Sequence, residues 1–133
     1  MAEVHRASIF PPSGAGEAQD QPLIHRRLWR FTPAMIEDVP DLPGVYALWY
    51  DGELVYYGCA STFAGYGIGF CLKQHLAEHQ AGRGRLPTHY SWEITHRPQA
   101  RHVELLNRFW RVFRRFPRGN EAVRPRVVVL GKE

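Results

Sequence analysis

Two tyrosines ten residues apart, Tyr46 and Tyr56, two histidines one helical turn apart, His75 and His79, and a glutamate set among arginines, Glu104, are the side chains whose types and spacing suit chemistry. Glu104 is the one acid between Arg97 and Asn120, in a stretch that also holds Arg101, Arg108, Arg111, Arg114, Arg115 and Arg118. At about 100° per residue, Glu104, Arg108, Arg111 and Arg115 fall on a single stripe of a helix. A carboxylate on an arginine ridge suits a cation and a phosphate together, since carboxylate oxygens bind Mg²⁺ while guanidinium forks match phosphate. The same residues also read as a solvated i,i+4 pair, Glu104 with Arg108, worth roughly a few tenths of a kcal/mol.

The aromatic and thiol groups carry alternatives of their own. A tyrosine has a pKa near 10, so it acts as a base only where positive charge lowers it, and Arg101, Arg108 or a bound metal would be the source. Aromatic residues also fill half-buried strand surfaces with no chemistry at all. His75 and His79, with Cys71 one turn before and Cys59 upstream, invite a zinc reading. Three ligands at i, i+4 and i+8 span about 12 Å of helix and cannot all reach one ion, so surface or core-edge histidines are the default.

These groups need elements to position them. The runs GVYALWY, residues 44 to 50, and LVYYG, residues 54 to 58, flank Asp51-Gly52 and predict a β-hairpin. A glycine-punctuated loop, STFAGYG, leads to IGFCLKQHLAEHQA, where Leu72, His75, Leu76 and His79 recur at helical spacing until Gly82. THYSWEIT alternates Tyr90, Trp92 and Ile94 against His89, Ser91 and Glu93 as a third strand. A long second helix starts near Pro98, carries a wide apolar face from Val103 to Phe113, and ends before Pro117. RVVVL, residues 126 to 130, reads as a last strand. Ahead of the hairpin, residues 1 to 22 read as a disordered tail without periodicity, and residues 23 to 41 as a basic and apolar extension packing on the domain of residues 42 to 133. Within that extension Thr32-Pro33 looks like an N-cap followed by proline at the first helical position. The expected fold class is α+β, a small, mostly antiparallel three-stranded sheet flanked by helices.

The hairpin geometry decides whether the tyrosines can share a site. A plain two-residue Asp51-Gly52 turn pairs Trp49 with Leu54 and puts Tyr46 and Tyr56 on opposite faces. A three-residue loop, or a bulge with the same effect, puts them on one face. The second arrangement is the expected one, with Gly52 at positive φ.

Gly44-Val45-Tyr46 and Tyr56-Tyr57-Gly58, followed by a helix with His75, a second helix with Glu104, and Asn120 beyond it, resemble the motif order of the GIY-YIG nuclease family. The resemblance covers about residues 42 to 122. It implies a GIY-YIG-like endonuclease domain that hydrolyses nucleic acid phosphodiesters with Mg²⁺ or Mn²⁺. Tyr46 and Tyr56 would then be the motif tyrosines and His75 the histidine of the first helix. Glu104 would be the metal ligand and Asn120 a polar residue near the site. One turn before the histidine, where the family presents an arginine to meet charge on the phosphate, this chain has Cys71. Lys73 lies about 160° away around the helix from that position. Arg83 and Arg85, in the AGRGR loop just past the helix, are the cations able to reach back. The rival is a binding module on the same fold that lost cleavage with its arginine.

Composition agrees with a polyanionic partner without requiring one. The chain has 133 residues, 44% of them hydrophobic, enough for one modest core. Its formal charge is +4, and fifteen of its seventeen basic residues are arginine, the side chain best matched to phosphate. Nucleic acid is the expected partner, DNA ahead of RNA, gripped through Arg101, Arg108, Arg111, Arg115, Lys73 and Asn120. The opening residues hold no apolar run long enough for a signal peptide or a membrane span, which points to the cytoplasm and to reduced thiols at Cys59 and Cys71.

Overall fold

The computed structural model describes residues 22–61, 66–82 and 84–123, without side chains for the last three. Of the tail expected over residues 1 to 22 all but Pro22 lies outside the described residues, as do Arg83 and the strand expected over residues 126 to 130; Pro22 is buried and leads into the first 3-10 turn. Within them the chain is α+β. In order it forms a 3-10 turn (Leu23–His25), strand β1 (Trp29–Arg30), a short helix α1 (Pro33–Ile36), strands β2 (Gly44–Tyr50) and β3 (Glu53–Ala60), helix α2 (Ile68–Gln80), strand β4 (His89–Ile94), helix α3 (Pro98–Phe113) and a 3-10 segment (Arg118–Val123).

Among the described residues the sheet has four strands in the order β1-β4-β2-β3, every pair antiparallel, where three were expected. The fourth is β1, supplied by the segment read as an extension, pairing Trp29 with Tyr90 and Arg30 with His89. Two residues are too short for an alternation signal, so propensity alone could not find it. Thr32 does cap α1, its hydroxyl accepting from the Met35 amide at 3.3 Å.

Strand alternation builds two cores. Val45, Ala47 and Trp49 point to one face and pack with Leu54, Tyr57, Ile24 and the Leu105, Leu106 and Phe109 stripe of α3. Tyr46 and Leu48 point to the other face and pack with Ile68, Leu72 and Leu76 of α2, with Ile36, Val39, Phe31 and Tyr90. The two long helices therefore cover opposite faces of the sheet.

The hairpin solves its register problem with a bulge. Tyr50 pairs with Glu53 across a two-residue turn in which Asp51 and Gly52 both take positive φ, 52° and 91°, as a turn matching the strand twist requires. Trp49 then pairs with Leu54 but Leu48 with Tyr56, which leaves Val55 as the extra residue. Tyr46 and Tyr56 thus share the α2 face, through the bulge and not through a longer loop.

Candidate functional site

The residues that meet on the α2 face are Tyr46, Tyr56 and His75. The Tyr46 hydroxyl lies 2.9 Å from His75 Nε2, and the ring centroids are 5.5 Å apart for Tyr46 and His75, 5.0 Å for Tyr56 and His75, and 6.1 Å for the two tyrosines. Gly58 makes the arrangement possible. It is paired directly with Tyr46, and a Cβ there would sit 2.0 Å from Tyr46 Cζ, so the tyrosine ring lies flat across the bare glycine backbone.

The electrostatics keep the cluster uncharged at neutral pH. Burial raises the pKa of Tyr46 well above its ordinary value, with Tyr56 and the nearby thiols adding to it, and burial raises Tyr56 too. His75 is lowered, first by burial, with Glu78 opposing and His79 assisting. Cys71 is raised by burial and by Asp41, and Cys59 by burial and by Cys71. A neutral imidazole bonded to a neutral phenol can relay a proton, but it offers neither a tyrosinate base nor a fixed cation. Arg101 and Arg108, expected to lower a tyrosine, act instead on Tyr57 and His25 across the sheet.

Glu104 is not with them. The buried residues of α3 are Pro98, Leu105, Leu106 and Phe109, and Glu104 sits roughly 140° around the helix from the middle of that face. Its side chain is 66% exposed and bonds to Arg101 Nη1 at 3.0 Å. Both α3 and the sheet stand between this carboxylate and the tyrosines, which corrects the expectation that one site holds all four residues. Among the described residues no group of three or more His, Cys, Asp or Glu could hold a metal ion. Cys71, His75 and His79 form no such group, and Glu104, on the far side of the sheet, is not among the side chains around the Tyr46 hydroxyl.

Most of the arginines expected on the phosphate have other work. Arg101 is tied to Glu93 at 2.9 Å as well as to Glu104, Arg108 is half-buried beside His25 and Tyr57, and Arg111 and Lys73 are exposed. Arg115 lies past the helix end, its guanidinium over the rings of Phe109 and Phe113 and donating to the Phe116 carbonyl. Asn120 is corrected as well. It is 3% exposed, with its Oδ1 accepting from the Tyr57 amide at 2.8 Å and its Nδ2 donating to the Tyr57 carbonyl at 3.0 Å. It completes the free edge of β3 in the way a neighbouring strand would, and both ends of its amide are occupied.

The sequence did not reveal a second hydroxyl–imidazole pair, His25 Nε2 with the Tyr57 hydroxyl at 2.5 Å, on the α3 face. It joins residues 32 apart in the chain, and no local pattern encodes such a contact. His102, whose Nε2 is 3.0 Å from the Tyr57 carbonyl, stands beside it. No helix among the described residues is long and apolar enough to cross a membrane. No protein-family model matches this chain, and neither the curated proteins nor the solved structures compared with it give a match.

Proposed function

We propose that this chain is a nucleic-acid-binding module of the GIY-YIG type that grips a phosphate backbone without cutting it through a metal at Glu104. The observation that carries this choice over the nuclease is the placement of Glu104 on the outer surface of α3, paired with Arg101 and separated by the sheet from Tyr46, Tyr56 and His75. Support for a nucleic acid partner comes from the arginine-rich composition and from exposed Arg27, Arg30, Arg85, Arg97, Arg111 and Arg114, with DNA the first ligand to test. Cleavage stands as the second reading because the Tyr46–His75 bond is the kind of hydroxyl–imidazole pair that moves a proton to or from a reacting oxygen.

The test is incubation of labelled DNA and RNA with the protein, with and without Mg²⁺ or Mn²⁺, beside a Glu104→Ala variant. We expect binding that falls steeply with salt, no metal-dependent cleavage, and unchanged or tighter binding by Glu104→Ala, which removes a negative charge. Metal-dependent cleavage that disappears in Glu104→Ala would overturn the choice in favour of the nuclease.

A further inference from the structure

The Tyr46–Tyr56–His75 cluster has no cation on its own helix one turn before His75, where Cys71 stands, but the loop after α2 folds back toward it. Gly84 packs on His79, close enough that a Cβ would lie 3.6 Å from that ring's Cε1 and Nδ1. His79 in turn stacks on His75 with centroids 6.2 Å apart, and its Nδ1 is shielded with no hydrogen-bond partner among the described residues. The next residue, Arg85, lays its guanidinium over the Tyr50 ring at 4.0 Å. Tyr50 follows Tyr46 and Leu48 in alternation, so its ring stands on the same face of β2 as the cluster.

The geometry points to Arg85 as the phosphate-binding cation of this face, held in place by Tyr50 and joined to the cluster through the Gly84–His79–His75 stack. This rests on the nucleic-acid reading above and adds the residue that makes the contact. Three features favour Arg85 over its neighbours. Arg118, on the segment that packs along β3, is committed to Glu53 at 2.9 Å. Lys73 projects from α2 two residues from His75, hence about 160° around the helix from it. Arg85 is exposed and no carboxylate among the described residues pairs with it, while the Tyr50 ring beneath it restricts where the planar guanidinium can lie. A flat guanidinium with free edge donors is pre-organised for two parallel hydrogen bonds to phosphate oxygens.

The experiment is a titration of a short labelled mixed-sequence DNA, single-stranded and duplex, and of the matching RNA, at several salt concentrations. It compares the wild type with Arg85→Ala, Arg85→Lys and Tyr50→Leu, with the urea midpoint of each recorded in parallel. Arg85→Ala should weaken binding about tenfold at low salt and reduce the log–log salt slope by about one, the signature of a lost phosphate contact. Arg85→Lys should keep the slope and lose part of the affinity, because charge survives and the planar fork does not. Tyr50→Leu should behave likewise. If Arg85 only pins the loop, Arg85→Ala shifts the urea midpoint and leaves the salt slope as in the wild type, which overturns the assignment of Arg85 alone. Absence of binding by the wild type to all of these ligands overturns the assignment and the nucleic-acid reading together.

Discussion

Gly58 shows how a motif residue acts through its missing atoms. The Tyr46 ring occupies the space a Cβ would take, and it has little freedom to move because its hydroxyl is held by His75 and its ring lies against Tyr56. Gly58→Ala should therefore destabilise the protein by about 1–3 kcal/mol, the range for overpacking a tight contact. Tyr46→Ala should cost about 3 kcal/mol or more by leaving a cavity. The informative measurement is the double variant in urea denaturation. With the ring gone, the added methyl has room, so the double variant should be less destabilised than the two single effects added together, with a coupling of about 1 kcal/mol or more. Strict additivity would mean that the penalty at Gly58 comes from the strand backbone and not from Tyr46. The pair also has a partial reading in the sequence: a tyrosine in the first triplet and a glycine in the second sit where cross-strand neighbours belong, yet only the register says that they face each other.

The hairpin and α3 show what an element's sequence does and does not encode. Leu54 and Tyr57 both belong to the α3-side core, yet they stand three residues apart, which a regular strand would place on opposite faces. One extra residue between them resolves the conflict, and Val55 is that residue. The need for both tyrosines on one face was legible from alternation, but the choice between a longer loop and a bulge depended on which side chains the distant α3 would bury. Helix α3 gives the converse case. The charged stripe of Glu104, Arg108 and Arg111 was legible from spacing, and so was the opposing apolar stripe, which turns Glu104 and Arg111 out to solvent and leaves Arg108 half-buried at its flank. Read as a site, the stripe lacked that second half. The strand β1 and the Asn120 clamp on β3 were not legible, because each rests on a contact between segments far apart in the chain. A deletion tests the bulge. Removing Val55 should leave Leu48 paired with Tyr56 and Trp49 with Leu54 in an unbroken ladder, at a cost of about 1 kcal/mol for the half-buried side chain. Ring-to-ring contacts between Tyr46 and Tyr56 in nuclear Overhauser spectra should survive the deletion. Their loss would put the extra residue elsewhere in the strand.

On the scale of the molecule, the segment ahead of the hairpin is a strap joining both cores. Ile24 and His25 plug the α3 side, β1 runs along the free edge of β4, and Phe31, Ile36 and Val39 fill the α2 side. Its anchor on the α3 side is a histidine that its burial holds neutral at pH 7. Burial first, and then the Arg108 and Arg101 cations, lower the His25 pKa from 6.5 to about 3, while Tyr57 bonds its Nε2 and Glu93 neutralises part of Arg101. The unfolded chain takes up a proton at this histidine below about pH 6.5, and the folded chain does not until about pH 3. The stability tied to neutral His25 is thus complete above pH 6.5 and declines as the pH falls from there toward 3. His75, His89 and His102 are also lowered by burial and add to the same acid limb, so the total curve does not isolate His25. A difference does. Urea unfolding of the wild type and of His25→Gln, followed by tryptophan fluorescence from pH 7 to pH 4, should show the variant less stable at pH 7 through lost packing and its Tyr57 contact. Below about pH 6 the gap should narrow by up to about 1.4 kcal/mol per pH unit, the limit for one proton. Parallel curves would mean that His25 does not titrate on unfolding and that the other buried histidines carry the acid sensitivity. A gap that widens instead would mean that the folded protein binds the proton at His25, which the two arginines and the depth of the anchor oppose.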